Sequence, residues 1–257
     1  MNLDLDGKKA IITGGTRGIG LAIAKQFLAE GASVAICARS SDGVANAVQE
    51  LEASDGSGSV VGGAVDVADT EAYTEWLRDA AEQLGGVDIF IGNAAYTPEA
   101  DEDALWRAAF DVDLGHCVVG ARELQPALSA SDAGAVVFVS SVASVMSEIP
   151  ETEGPYGAMK AAMVSHAAQL AQRMAADGTR VNTVVPGPVL FEGGVWDQIR
   201  AEDPDTFAWA ETLPARGRLG TPEEIANVVT FLASPAASFV TGANWRVDGG
   251  TLKHANF

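Results

Sequence analysis

Tyr156 and Lys160 place a phenol and an ammonium four residues apart in an alanine-rich stretch that predicts a helix over 156–176. Side chains at this spacing lie on one helix face, one turn apart. A free phenol has a pKa of about 10 and is a poor base at neutral pH. A neighbouring cation favours the phenolate and lets the group exchange protons. The pair therefore indicates acid/base chemistry, although a packed tyrosine beside a solvated lysine is the commoner meaning of this spacing alone.

A glycine-rich segment, TGGTRGIG at 13–20, joins a predicted first strand, Lys9–Thr13, to a helix predicted over 19–30. Glycines permit a tight turn and let a pyrophosphate approach the backbone. The helix N-terminus adds free N–H groups and a positive dipole end. The spacing is G-x-x-x-G-x-G rather than G-x-G-x-x-G, and an ordinary glycine-rich turn is the alternative. Its position after the first strand favours dinucleotide binding.

Two hydroxyl side chains, Ser140 and Ser141, directly follow a predicted strand at 135–139 and precede Tyr156 in the chain. The carboxyl ends of parallel strands line the crevice that also holds the glycine turn. The serines are therefore expected near the phenol. Capping of the strand end is the simpler alternative.

Apolar strands and helical patterns alternate along the chain. The strands are predicted at 9–13, 34–37, 60–65, 87–91, 135–139 and 180–185, and the helices over 19–30, 44–53, 70–84, 105–128 and 156–176. Pro126 should end or bend the fourth helix, and 225–245 is interpreted as a helix, a turn and a strand. This alternation predicts an α/β fold. We expect one domain over 1–257, a Rossmann-like, doubly wound parallel sheet with helices on both faces.

The segment 186–220 interrupts the alternation with four prolines and four aromatic residues. It follows the carboxyl end of the sixth predicted strand, where doubly wound folds bind ligands. We expect it to form a substrate lid with short helices at about 188–218.

The composition excludes several classes of function. Sixteen Lys and Arg against thirty-five Asp and Glu give a net charge of −19, which disfavours nucleic acid and anionic membranes as partners. The two cysteines and three histidines are scattered, so neither a disulfide framework nor a metal site is expected. The first six residues have no basic start and no apolar stretch, so no secretory signal is predicted and a cytoplasmic location is expected.

Taken together, the motifs resemble the short-chain dehydrogenase/reductase family, and its 3-oxoacyl-carrier-protein reductases in particular. The features that carry the resemblance are the 13–20 turn, Asp66-Val67, Asn93-Ala94-Ala95, Ser141, Tyr156-x-x-x-Lys160, Asn182 with Pro186-Gly187, Thr241-Gly242 and 247–250. They cover nearly the whole chain. Each is weak alone, but the combination is specific.

The resemblance implies hydride transfer between a nicotinamide dinucleotide and a small-molecule carbonyl or secondary alcohol. Tyr156 would be the general acid or base, Ser141 would orient the carbonyl oxygen, and Lys160 would hold the nicotinamide ribose and tune Tyr156. The implied cofactor-binding residues are Gly14, Thr16, Arg17, Gly18, Ile19, Gly20, Arg39, Ser40, Asp66, Val67, Asn93, Ala94, Tyr156, Lys160, Pro186, Gly187 and Val189. A homotetramer is also implied. The alternative is a sensor or scaffold that binds dinucleotide without efficient turnover.

The end of the second predicted strand bears on the choice of cofactor. NAD sites usually place a carboxylate there for the ribose 2′-OH, but residues 37–41 contain no acid. Arg39 and Arg17 could clamp a 2′-phosphate, so NADP(H) is favoured over NAD(H). The alternative is that both arginines are merely solvated.

Two departures from the family pattern concern the site itself. Asp113 stands where the family usually has Asn. Its carboxylate could pair with Lys160 and weaken the effect of that cation on Tyr156, or only its backbone carbonyl matters. Phe191 falls where a threonine often contacts the carboxamide. The charge of −19 makes an acidic carrier protein a poor partner, unless a local arginine patch receives it. The lid aromatics favour an apolar or cyclic substrate; the alternative is that they form the core of the lid.

Overall fold

The computed structural model describes residues 2–54, 56–95, 102–150 and 153–254. Seven parallel strands form one sheet in the order β3-β2-β1-β4-β5-β6-β7. The strands are β1 (Lys9–Thr13), β2 (Ser33–Ala38), β3 (Val60–Ala64), β4 (Ile89–Gly92), β5 (Ala135–Val139), β6 (Arg180–Pro186) and β7 (Asn244–Val247). The strand order changes direction between β1 and β4, which opens a crevice at their carboxyl ends.

Helices cover both faces of the sheet, as predicted. They are α1 (Gly18–Ala29), α2 (Ser41–Glu52), α3 (Thr70–Leu84), α4 (Glu102–Ala109), α5 (His116–Ala130), α6 (Gly154–Met174), α7 (Val195–Glu202), α8 (Pro204–Glu211) and α9 (Pro222–Ala233). Successive strand residues point to opposite faces, so Ile12 packs in the core layer with α1 and α9 while Ile11 packs with α3, α5 and α6. The predicted doubly wound fold is confirmed.

Local signals set several helix ends. Helix α3 occupies the predicted 70–84 because the Asp69 carboxylate accepts the backbone N–H of Glu71 and Ala72, and Gly85 ends the helix with φ +70°. The interpretation of 225–245 as helix, turn and strand is confirmed by α9 and β7. The fourth strand begins at Ile89 rather than 87, and the Asp88 side chain just before it accepts the N–H of Lys9.

The predicted 105–128 helix differs most from expectation. It consists of α4, a π-helical segment at Phe110–Gly115, and α5. Of the two effects expected of Pro126, to end or to bend the helix, the first is wrong, because α5 continues through Pro126 to Ala130. The carbonyl of Arg122 loses its helical donor there, but Arg122 is exposed and water can serve it.

Candidate active site

The glycine turn after β1 is held by close backbone contacts. Gly14 and Gly18 have φ of +66° and +53°, and a Cβ added at Gly20 would lie 2.1 Å from the Gly14 carbonyl oxygen. Asn93, at the end of β4, donates from Nδ2 to the carbonyls of Thr13 (2.9 Å) and Gly14 (3.1 Å). Arg17, the N-cap residue of α1, makes no side-chain capping bond. This tight turn with an open helix end fits a pyrophosphate.

The other predicted cofactor residues also lie at the carboxyl ends of the strands. In chain order they are Arg39 and Ser40 after β2, Asp66 and Val67 after β3, Asn93 and Ala94 after β4, and Pro186, Gly187 and Val189 at β6. Residues that are far apart in sequence therefore lie together along one edge of the sheet.

Ser40 and Arg17, both predicted to bind the cofactor, make local hydrogen bonds. Ser40 caps α2, its Oγ accepting the N–H of Gly43 at 3.1 Å. Arg17 donates from Nη1 to the carbonyl of Gly193 at 2.8 Å, so its guanidinium reaches the segment predicted as the lid. Arg39 is exposed at the end of β2.

The serine and the tyrosine meet across the start of α6. Ser141 follows β5 and caps the 3-10 turn Val142–Ser144, its Oγ accepting the Ala143 N–H at 3.2 Å. A Cβ added at Gly157 would lie 2.9 Å from the Ala143 carbonyl oxygen. Glycine at that position therefore lets α6 approach the turn closely, and the Tyr156 phenol lies near enough to Ser141 for the serine hydroxyl to lower the pKa of Tyr156.

Lys160 lies one turn further along α6, with its side chain 1% exposed. Its Nζ is 5.4 Å from the centroid of the Tyr156 ring, donates to the Val139 carbonyl at 3.0 Å, and forms an ion pair with Asp113 Oδ1 at 3.4 Å. Ser140 Oγ donates to the Lys160 carbonyl, which ties the helix to β5. The pairing of Asp113 with Lys160 predicted from sequence is present.

Opposing effects set the protonation of this group. Burial raises the pKa of Tyr156, while the positive charge of Lys160 lowers it. The negative charge of Asp113 raises the Tyr156 pKa further, and the nearby Ser141 hydroxyl lowers it. Burial is the largest single effect and would lower the pKa of Lys160, but Asp113, Tyr156 and Cys117 together outweigh burial and raise it. Lys160 therefore remains a cation at neutral pH, and the net rise at Tyr156 favours the neutral phenol.

Asp113 owes its position to the π-helical segment. A π turn inserts one residue into a helix, changes which side chain points inward, and often marks a functional site. Asp113 is the buried residue of this segment. Helical periodicity does not predict such an insertion, so the sequence indicated the residue but not the turn that presents it.

Phe191 makes a contact that sequence reasoning missed. A Cβ added at Gly18 would lie 2.6 Å from the Phe191 ring, so the aromatic ring rests on the glycine turn. Gly194 packs against the same ring. With the hydrogen bond from Arg17 to Gly193, two contacts hold the start of the 188–218 segment against the predicted pyrophosphate site.

Metal chemistry and membrane insertion find no support within the described ranges. Those residues contain no group of three or more His, Cys, Asp or Glu side chains placed to hold a metal ion. No described helix is both long enough and apolar enough to cross a membrane.

Comparison with known proteins identifies the family. A family profile described as Enoyl-(Acyl carrier protein) reductase matches residues 14–251. The isoepoxydon dehydrogenase of Aspergillus clavatus is 37% identical over 251 residues, covering 96% of this chain and 95% of that protein. The galactitol 2-dehydrogenase (L-tagatose-forming) of Cereibacter sphaeroides is also 37% identical, with the same coverage.

A solved structure agrees with these relatives. The L-sorbose reductase of Gluconobacter frateurii, complexed with NADPH and L-sorbose, has a TM-score of 0.88 at 31% identity and covers 99% of this chain and 100% of that one. The chain therefore belongs to the short-chain dehydrogenase/reductase family, a class of NAD(P)-dependent oxidoreductases that act on alcohol and carbonyl groups. The family resemblance predicted from the motifs is confirmed.

Proposed function

We propose that the protein transfers a hydride between NADP(H) and a small-molecule carbonyl or secondary alcohol, with Tyr156 as general acid or base. The observation that carries this proposal is the placement of the Tyr156 phenol beside Ser141 and a buried lysine cation, 5.4 Å from the ring centroid. A phenol can lose a proton near neutral pH only where a neighbouring cation stabilises the phenolate.

Each residue of the site has its own role in the proposed reaction. When bound, the dinucleotide supplies the hydride or accepts it. During reduction, the Tyr156 hydroxyl donates its proton to the substrate oxygen as negative charge develops there, and Lys160 stabilises the phenolate that remains. Ser141 Oγ donates a hydrogen bond to the same oxygen and orients it. During oxidation, the Tyr156 phenolate removes the hydroxyl proton. Lys160 Nζ donates to the Val139 carbonyl and pairs with Asp113, so a hydrogen bond from Nζ to a ribose hydroxyl would be made in addition to these two contacts.

The preference for NADP(H) is supported by charge at the end of β2. Arg39 is exposed there, and residues 37–41 contain no carboxylate to receive a ribose 2′-OH. Arg17 lies on the adjoining turn. The L-sorbose reductase of similar structure is complexed with NADPH, which is consistent with this choice.

The substrate is proposed to be a small hydroxylated or cyclic molecule bound under a lid at 188–218. The printed names of similar proteins, an isoepoxydon dehydrogenase, a galactitol dehydrogenase and an L-sorbose reductase, are consistent with small substrates. Helices α7 and α8 supply exposed apolar side chains at Val195 and Trp209. The net charge of −19 disfavours an acidic carrier protein.

We further propose a cytoplasmic homotetramer. Trp106 in α4 and Phe110 at the start of the π-helical segment are four residues apart and expose their aromatic rings, and exposed apolar pairs of this kind favour burial between subunits. Measurement of mass in solution by light scattering tests this proposal, and a monomer would contradict it.

A dinucleotide sensor without efficient turnover is the second candidate. The observation that favours it is the Asp113–Lys160 ion pair, which weakens the support that Lys160 gives to a Tyr156 phenolate. A panel of ketones and sugars, followed by NADPH absorbance with wild type and Tyr156→Phe, separates the two. We expect turnover that falls by about 10²-fold or more in Tyr156→Phe with NADPH binding retained. Tight NADPH binding without turnover of any panel member would favour the sensor.

A further inference from the structure

His116 is a buried histidine that the proposed reaction leaves without a role. It begins α5, directly after the π-helical segment, and is 1% exposed. Its Nδ1 hydrogen-bonds the Val112 carbonyl oxygen, and its Nε2 lies 3.1 Å from Thr13 Oγ1. A carbonyl only accepts, so Nδ1 must carry the hydrogen and Nε2 must present a lone pair.

The hydrogen bonds of Thr13 agree with this tautomer. Its Oγ1 accepts the backbone N–H of Asn93 at 2.9 Å and of Ala94 at 3.1 Å. Both lone pairs of the hydroxyl are therefore occupied, and only its hydrogen remains for the histidine. The carbonyl of Ile91 is the other acceptor in reach, at a longer 3.4 Å. The hydroxyl thus donates to Nε2 of a neutral imidazole.

These bonds form one continuous path between the two halves of the site. At one end, Val112 belongs to the π-helical segment and precedes Asp113, the partner of Lys160. At the other end, Thr13 opens the glycine turn. The neutral imidazole is the only group in the path with one donor and one acceptor facing opposite ways, so a simple apolar side chain cannot replace it.

We propose that His116 is a positioning residue that fixes the π-helical segment, and with it the Asp113–Lys160 pair, relative to the glycine turn that holds the dinucleotide. This inference rests on the proposed function of that site. Burial and the charge of Lys160 lower the pKa of His116 to about 3, which agrees with the neutral ring. Cys117 Sγ, 3.4 Å from Nε2, is the other side chain in contact with the ring nitrogens.

Two substitutions of His116 each remove one of its hydrogen bonds, to Val112 or to Thr13, and keep the other. The Gln side chain carries its amide near the position of Nε2, so His116→Gln keeps an acceptor for Thr13 and loses the bond to Val112. The Asn amide lies near the position of Nδ1, so His116→Asn keeps the hydrogen bond to Val112 and loses the hydrogen bond to Thr13. We expect His116→Asn to raise the Kd for NADPH about fivefold with a smaller change in kcat. We expect His116→Gln to lower kcat about fivefold and leave the Kd close to that of wild type.

Tyr73→Phe is the matched control. Tyr73 packs edge-on to the His116 ring, and its hydroxyl has no hydrogen-bond partner among the described residues, so its removal should change neither Kd nor kcat. If both His116 variants kept wild-type Kd and kcat and only melted at lower temperature, His116 would be a core residue and the proposal would be overturned.

A spectroscopic measurement on the wild-type protein tests the proposal even if both His116 variants fail to fold. With ¹⁵N-labelled histidine, the NMR shifts of His116 should report the Nδ1–H tautomer at neutral pH. An Nε2–H tautomer or an imidazolium overturns the proposal. NADPH binding by fluorescence is read separately, so a protein that shows the Nδ1–H tautomer but binds no NADPH refutes the proposed function and not the hydrogen-bonded path.

Discussion

The ammonium of Lys160 and the carboxylate of Asp113 form an ion pair, 3.4 Å from Nζ to Oδ1, in which both side chains are closed to solvent. Opposite charges in a low-dielectric interior interact strongly, and removal of one partner leaves the other charge uncompensated at about 3–5 kcal/mol. The pair therefore fixes Lys160 in place and sets how much positive potential reaches Tyr156.

Asp113→Asn should move the pH dependence of oxidation to lower pH. Asp113 raises the pKa of Tyr156, so a neutral amide of the same shape lets the phenolate form at lower pH. The measurement is kcat/KM for alcohol oxidation as a function of pH. Asp111→Asn is the matched control, because Asp111 lies in the same π-helical segment and is only part-buried. An Asp113→Asn profile that coincides with wild type would show that only the backbone of Asp113 matters.

Arg39→Ala should reduce the preference for NADPH over NADH. A guanidinium that binds a 2′-phosphate contributes a charge-assisted hydrogen bond, and its loss should raise the KM for NADPH by about tenfold without changing that for NADH. Steady-state kinetics with both cofactors measure this, and the exposed Arg122 of α5 provides an Arg→Ala control. Equal effects on the two cofactors would mean that Arg39 does not bind the 2′-phosphate.

Gly20→Ala should strongly weaken dinucleotide binding. The added Cβ would lie 2.1 Å from the Gly14 carbonyl oxygen and 2.6 Å from Asn93 Nδ2, so the turn must open. We expect a Kd for NADPH at least about tenfold higher and a loss of stability of roughly 1–3 kcal/mol, measured by fluorescence titration and urea unfolding. Gly43→Ala in α2 is the control, because a Cβ there makes only ordinary contacts at 3.4 Å or beyond, and alanine should stabilise the helix. A Gly20→Ala protein that binds NADPH normally would place the pyrophosphate elsewhere.

Local sequence information was sufficient for part of this site. Tyr156 and Lys160 lie one helical turn apart, and Ser141 directly follows a strand, so spacing alone placed them at the same edge of a parallel sheet. The departure from the family pattern at Asp113 left two possibilities open, an ion pair with Lys160 or a role for the backbone carbonyl alone, and the ion pair is present.

The remaining features depend on tertiary contacts. The π-helical segment at Phe110–Gly115 adds one residue within a helix whose apolar spacing reads as continuous. The contact between Phe191 and Gly18 is set by the path of the chain after β6. His116 resembles any lone buried histidine in the sequence, and only the fold brings it to Thr13.

His116 should also make the fold sensitive to acid. Its pKa is depressed from 6.5 in the unfolded chain to about 3 in the folded protein, so below about pH 6.5 the unfolded state binds a proton that the folded state excludes. The stability present above pH 6.5 is therefore lost progressively as pH falls toward 3, by about 2–3 kcal/mol between roughly pH 7 and pH 4.5. Urea unfolding of wild type and His116→Gln at the two pH values measures this, because carboxylate effects common to both proteins cancel in the comparison. His166→Gln is the control, since His166 is only half-buried and its pKa is also lowered, and it should remove less of the acid sensitivity. If wild type and His116→Gln lost equal stability on acidification, His116 would not be the group that titrates.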